Sequence, residues 1–395
     1  MPDRTTTFSE LVGEHLIEIG AGRPRTVNTN GHDLPILRVA DVLDGRVEYG
    51  LQAHASNHDV QGEGSKVSRP GDIVLTTKGT VGRVALMPPD GPAFAYSPQL
   101  CFFRPAANGP LRSRFLYYWF KSAEFWIQAN ALKGQTDMAD FLSLGDLQRM
   151  RIGIPSVDRQ DAVVGVLGAL DDKIAVNDRI ATTGEALLRA NYEALADGGE
   201  LIAIGEIGSL IRDSSRPSDL ADDEPYIGLE HMPRRSVWLD RWGSSAGVIS
   251  QKTRFAIGDI LFGKLRPYFH KVGLAQVSGV CSTDIMVIRP SSPNYLPWLL
   301  MALSSDEVVA HATARSDGTR MPRTRWSDLA DFRVPWAKSS VVQRYTDLAH
   351  PLIKRVQYGL AESHRLAQLR DTLLPKLMSG RLLVKDAEKA VEEAI

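Results

Sequence analysis

Cysteine is scarce: two occur in 395 residues, Cys101 and Cys281. They form no Cys-x-x-Cys pair and sit in strand-like runs, which argues against a disulfide framework or a zinc site and for a reducing cytoplasm. Long apolar runs are missing as well. Stretches such as Leu299–Leu303 are far too short to cross a bilayer, so no membrane partner is expected. Met1–Leu11 is polar and lacks the apolar core of a secretory signal. Neither charge dominates: 46 Lys and Arg face 47 Asp and Glu, for a formal net charge of −1. That balance excludes a uniformly basic, histone-like binder but leaves room for a local basic groove. What is present is a 43% apolar composition, too rich for a disordered chain. The length accommodates two or three domains with a sizeable core in each.

The chain repeats itself once. Gly71-Asp72-Ile73-Val74-Leu75 recurs as Gly258-Asp259-Ile260-Leu261-Phe262. Ser97, apolar Leu100–Phe103 and Arg104-Pro105 recur as Ser282, Ile285–Ile288 and Arg289-Pro290. Ile152-Gly153-Ile154-Pro155 matches Phe332-Arg333-Val334-Pro335, Gln160 matches Gln343, and Leu188-Arg189 matches Leu369-Arg370. Any one match is weak; five in one order at nearly constant offset indicate a duplication. Each half opens with short strand-like segments: Ile36–Val39, Asp72–Thr76, Val84–Met87 and Leu100–Phe103, then Tyr226–Leu229, Asp259–Phe262, Val272–Ala275 and Ile285–Ile288. A helix follows, over Leu111–Leu132 and Tyr295–Thr313, and then a strand ending at Pro155 or Pro335. Strands mixed with a few helices predict an α+β globule in each half.

A different kind of element follows each globule. No proline interrupts Asp158 to Leu195, and Val163, Leu167, Leu170, Ile174, Asn177, Ala181, Gly184, Leu188, Asn191 and Leu195 keep the 4-3 spacing of a coiled-coil seam. The second copy spans Val341 to Met378, with Tyr345, Leu348, Leu352, Val356, Leu366, Leu369, Leu373 and Leu377 as its apolar positions. Pro351 is expected to restart or kink it, and Pro375 and Gly380 to end it. The predicted organisation is two similar globules, residues 1–157 and 196–339, joined by two long antiparallel helices, 158–195 and 340–380, with a tail at 381–395: a pseudo-two-fold internal duplication. Asp171–Leu195 as a helix spans roughly 37 Å at ~1.5 Å rise, close to the ~34–36 Å between half-sites read by symmetric dimers on DNA.

The loops add chemistry to that geometry. Arg315, Arg320, Arg323 and Arg325 crowd around Gly318-Thr319, against one acid, Asp317. A flexible arginine-rich loop suits phosphate contact and bidentate guanine recognition. In the first half the corresponding loop carries Lys133, Gln135 and Thr136, with Gln135 suited to adenine and Lys133 to phosphate. A second basic cluster, Lys264, Arg266, His270 and Lys271, aligns with Lys78 and Arg83. A solvated, salt-bridged surface would explain one such cluster; two clusters in equivalent places of both halves favour a double-stranded DNA partner. Trp326, beside the arginine loop, is a candidate DNA neighbour.

The residues that carry a family resemblance are the two Gly-Asp-Ile segments, the strand ends at Pro155 and Pro335, and Gln160 and Gln343 opening the long helices. To these add Leu170-Asp171-Asp172-Lys173-Ile174 and the closing run Leu369-Arg370-Asp371-Thr372-Leu373-Leu374-Pro375-Lys376-Leu377-Met378-Ser379-Gly380. Over residues 5–384 the chain resembles the specificity subunit of a type I restriction-modification system. The resemblance implies a non-catalytic subunit with two target-recognition domains, each reading half of a bipartite DNA sequence. It also implies helices, here bearing Leu170, Ile174, Leu188, Leu352, Leu369 and Leu373, that set the spacer and bind two methyltransferase subunits. Motor-nuclease subunits join that core in restriction. S-adenosylmethionine, ATP and magnesium would sit on those partners, with no cofactor in this chain. The rival reading is a structural adaptor whose globules bind proteins.

Catalytic signals are weak. Gly243-Ser244-Ser245-Ala246-Gly247 has nucleophile-elbow spacing without the strand-turn-helix that the motif needs. Gly258 to Lys264 has P-loop spacing, but Leu265 replaces the magnesium-binding Ser or Thr. His54 and His58 stand four apart with no third ligand nearby. The stripe Phe115, Tyr118, Trp119, Phe125 and Trp126 has helical spacing and is expected in the core.

Overall fold

The structure is a computed structural model that describes residues 3–22, 34–47, 54–55, 66–132, 134–135 and 140–393. The chain divides into two compact units. Unit 1 comprises Met1–Asp172 with Arg365–Ile395, and unit 2 comprises Lys173–His364. Each long helix is therefore cut by the division, and each unit owns a segment of both.

In unit 1 a four-stranded sheet runs in the order Ile17–Ala21, Leu100–Pro105, Ile73–Thr76, Val84–Leu86. In unit 2 the same order appears as Gly208–Ile211, Ile285–Pro290, Ile260–Gly263, Val272–Leu274. A second sheet in each unit contains a parallel pair: Leu34–Leu37 beside Ala95–Tyr96, and Pro225–Ile227 beside Gly279–Cys281. The first strand of each unit pairs antiparallel with the strand that feeds a long helix, Arg4–Thr7 with Arg151–Ile154 and Glu200–Ala203 with Arg333–Trp336. Ile73 to Thr76 and Ile260 to Gly263 are buried throughout, because the central strands are covered on both faces.

The repeated Gly-Asp-Ile and Arg-Pro segments meet in space. Gly71 and Gly258 take positive φ (82° and 88°), which only glycine adopts without strain, and turn the chain into the central strand. The Asp72 carboxylate accepts from Arg104 Nε at 2.7 Å, from the Tyr96 hydroxyl at 2.7 Å and from the Arg69 backbone N–H at 2.8 Å. Asp259 accepts from two guanidinium nitrogens of Arg289 at 2.7 Å each and from the Ala256 N–H at 2.8 Å. Adjacent strands are thus tied by a bidentate pair that leaves no buried carboxylate unpaired.

The expected helix after each sheet is two helices. Ser113–Phe120 and Ala123–Leu132 are separated at Lys121-Ser122, and Leu296–Leu303 and Asp306–Ala314 at Ser304-Ser305. A serine causes each break: Ser305 caps the next helix by accepting from the Val308 N–H at 3.2 Å, and the Ser122 hydroxyl donates to Trp119 O at 2.7 Å. Phe115, Tyr118, Trp119 and Phe125 are buried as expected, while Trp126 is half-buried over Gly82.

Both long helices have 40 residues, Val157–Ala196 and Ser339–Met378. Within unit 2 their segments run antiparallel: the Tyr345 hydroxyl donates to Leu188 O at 3.0 Å, Gly184 faces Leu352 and Val356, and Asn177 Nδ2 donates to Glu362 at 2.8 Å. Within unit 1, Arg370 pairs with Asp171 at 2.8 Å and the Tyr118 hydroxyl donates to the same carboxylate. The seam is close at Gly184, where a Cβ would lie 3.2 Å from a Val356 methyl.

Several expectations for these helices need correction. Pro351 does not restart the second helix, which runs through it from Ser339 to Met378 with the proline exposed and Ala349 and Ile353 on either side buried. Pro375 likewise lies inside that helix, which Gly380 ends at φ 72°. Leu348 is 46% exposed, and Ala349 takes its place in the seam. Asn191 donates to Leu187 O on its own helix, while Tyr192 is buried instead. An α-helix drifts away from a strict 3.5-residue repeat, so the buried stripe moves by one residue where no supercoil compensates.

The two Asp–Arg pairs differ in exposure, the arginine side chain being 13% exposed in the first and 47% in the second. Arg104→Ala is expected to cost about 3–5 kcal/mol by stranding a buried charge. Arg289→Ala, where water can replace the guanidinium, is expected to cost about 1–2 kcal/mol. Chemical-denaturation midpoints of the two variants measure the difference.

Candidate nucleic-acid interface

In unit 2 the arginine-rich loop is a small hairpin. Asp317 and Arg323 exchange backbone hydrogen bonds at 3.0 and 2.9 Å around Gly318, whose φ is 103°. The loop is anchored from below, because the Arg266 N–H donates to Pro322 O at 2.7 Å and its guanidinium donates to Arg320 O at 3.1 Å. Two of the loop arginines are neutralised: Arg323 pairs with Asp284 at 2.8 Å and Arg325 with Asp317 at 2.5 Å. Arg315 and Arg320 are exposed and carry no side-chain partner among the described residues. Beside the hairpin lies a cleft of about 800 Å³ walled by Arg212, Lys264, Arg323, Arg325, Met286 and Trp326. The Trp326 side chain therefore does flank the arginines, as its sequence position suggests.

Lys271 has a structural task. Its ammonium donates to Leu229 O, and burial together with nearby Arg234 holds its pKa below the usual lysine range. Arg266 is bent the same way, toward backbone carbonyls and at positive φ (51°). Of the unit 2 cations expected to meet DNA, Lys264, Arg315 and Arg320 are the ones free to do so without breaking an internal bond.

In unit 1 Lys78 is exposed and Arg83 half-buried, and both wall a cleft of about 850 Å³ together with Arg38, Ser97 and Gln99. Lys133 and Thr136 lie outside the described residues; Gln135 is described by its backbone alone, in a two-stranded ladder with Asp140–Phe141. The expected alignment of Lys264 with Lys78 is off by one. Thr77 O accepts from the Leu142 N–H at 3.0 Å just as Lys264 O accepts from the Thr324 N–H at 3.1 Å. Lys264 thus corresponds to Thr77, and Leu265 to Lys78. Arg83 does correspond to Lys271, their carbonyls accepting from Thr76 and Gly263 respectively. Arg38, Gln99 and Arg212 carry no motif and were invisible to sequence reasoning.

Of the helix residues expected to bind methyltransferases, Leu170, Leu188 and Leu373 are buried inside the chain, and Ile174, Leu352 and Leu369 are half-buried. They hold this chain's own helices together. The apolar residues that the long helices leave exposed are Val176, Leu187, Leu348 and Tyr358.

The catalytic candidates resolve plainly. Ser245 is buried, donates to Ala221 O and precedes a turn, not a helix. The residues before Lys264 form a strand, Ile260–Gly263. The side chains of His54 and His58 lie outside the described residues. No metal-binding cluster is found among the described residues, and no described helix is long and apolar enough to cross a membrane.

Each α+β unit thus carries a cleft lined in part by cationic side chains. Residues 17–183 match the family model of the type I restriction modification DNA specificity domain. A curated relative, the type I restriction enzyme EcoDI specificity subunit of Escherichia coli, is 30% identical over 145 residues, 34% of this chain and 31% of that protein. The matched stretch thus spans about a third of that relative. The crystal structure of a type I restriction-modification S subunit from M. genitalium is similar in fold, with a TM-score of 0.56 at 16% identity and 95% of both chains covered.

Burial pushes the Cys101 thiol up to about 11 and the Cys281 thiol up to about 12. Both stay protonated at pH 8. The native protein is expected to resist maleimide at that pH and to take up two labels once unfolded, as counted by mass spectrometry.

Proposed function

We propose that this chain is a DNA-recognition subunit whose two units each read one half of a bipartite duplex target. On this reading it is non-catalytic. The long helices fix the unspecified spacer and dock two methyltransferase subunits, with Val176, Leu187, Leu348 and Tyr358 as contact residues on the exposed side. S-adenosylmethionine, ATP and magnesium chemistry would belong to the methyltransferase and motor-nuclease partners, and the whole would work in the cytoplasm. The single observation that carries the reading is a recurrent scaffold with divergent loops. Strand order and the Asp–Arg pair recur in both units, whereas most of the cations around them do not match position for position, Arg83 and Lys271 excepted. A duplicated frame with different recognition surfaces is what an asymmetric split target requires, since base contacts specify sequence and phosphate contacts only position the protein.

The test is DNA selection with the full chain assembled with its methyltransferase. A split motif is expected; an absence of sequence preference would leave the adaptor reading in its place. In the same assembly, Arg315→Ala and Arg320→Ala are expected to weaken binding. Each variant neutralises one phosphate fewer, which should lower the slope of log affinity against log salt by about 0.9. An unchanged slope would show that the loop does not touch DNA.

A further inference from the structure

The positions that line the unit 1 cleft of about 850 Å³ have identifiable counterparts in unit 2. Backbone hydrogen bonds fix the correspondence. Thr77 N–H donates to Gln99 O at 2.9 Å, as Lys264 N–H does to Asp284 O at 2.9 Å. Ser97 N–H donates to Leu37 O at 3.1 Å, as Ser282 N–H does to Ile227 O at 2.9 Å. The Arg38 N–H donates to Asp41 and the Gly228 N–H to His231, which pairs positions 38 and 228. Arg38, Lys78, Arg83, Ser97 and Gln99 of unit 1 therefore correspond to Gly228, Leu265, Lys271, Ser282 and Asp284 of unit 2.

In unit 2 these positions satisfy one another. Lys271 is bonded to Leu229 O, Asp284 is paired with Arg323, and the Ser282 hydroxyl accepts from the Asp284 N–H at 3.2 Å. In unit 1 nothing plays those parts. Among the described residues no acidic side chain lines the cleft of about 850 Å³, and Arg38, Lys78 and Arg83 have no side-chain partner. The Ser97 side-chain oxygen is buried without a hydrogen-bond partner. Three uncompensated cations around one concavity repel each other, and a polyanion relieves that repulsion. Gln99 stands exposed at the rim, and its amide offers the donor and acceptor that match adenine N7 and N6 in the major groove.

We propose that this cleft is the specificity site of unit 1, with Arg38, Lys78 and Arg83 holding duplex phosphates and Gln99 reading an adenine edge. The assignment rests on the DNA-recognition reading above and adds the residues that would carry it in the first half-site.

Selection from random duplexes by the full chain with its methyltransferase tests both levels. Gln99→Ala is expected to lose about tenfold discrimination at one position of one half-site, leaving the other half unchanged. Gln99→Glu is expected to exchange adenine for cytosine there, because a carboxylate only accepts and cytosine N4 donates. Arg38→Gln and Arg83→Gln should keep the motif and each lower the salt slope by about 0.9. A wild type that selects a split motif which neither Gln99 variant alters, or a salt slope that neither arginine variant changes, overturns the cleft assignment and spares the proposed function. A wild type that selects no motif overturns both.

Discussion

In each unit a buried aspartate at the start of the central strand grips an arginine at the end of the neighbouring one. Asp72 with Arg104 and Asp259 with Arg289 convert two separate hydrophobic strands into a pair with fixed register. A buried ion pair adds little net stability over a well-packed apolar alternative, but it penalises every misaligned arrangement, because slippage leaves a carboxylate alone in the core. With register fixed there, the loops that leave the same strands, around Lys78 to Arg83 and Lys264 to Lys271, are free to differ. The loops vary around a clamp that both units share.

The long helices serve the same end by another route. Their sequences are about as polar as apolar, and neither would be stable alone. Within unit 2 they are held by Leu188, Tyr345, Val356 and Gly184; within unit 1 by Leu167, Leu170, Leu366 and the Asp171–Arg370 pair. Each unit carries its helix segments as part of its own core, so a globule and its strut fold together.

Much of this was legible in the sequence. Gly71-Asp72-Ile73 and its copy stood out because the turn, the ion pair and the buried strand each demand a particular residue type. The helical seams stood out through their spacing. What the sequence hid were one-residue matters. Lys264 looks like the counterpart of Lys78 because both are lysines, yet the ladder counts from the glycine and assigns Leu265 to that place. Leu348 looks like seam, yet accumulated helical drift buries Ala349. Gln160 and Gln343 match as letters, but Gln160 is buried, with its Oε1 accepting from the Arg112 N–H and its Nε2 bonding Pro110 O and Pro155 O. Gln343 is exposed and bonds Asn294 and Asp347. Arg38 and Gln99 were silent because their shared cleft is formed by segments far apart in the chain, and no local pattern records that.

On the proposed reading, one chain presents two different readers to one duplex. Methylome sequencing of a host with and without this chain measures it directly. The account predicts a modified adenine within a split motif, two specified segments at a fixed gap, present only when the chain is present. A methylome unaltered by its loss, or a single undivided motif, would contradict it.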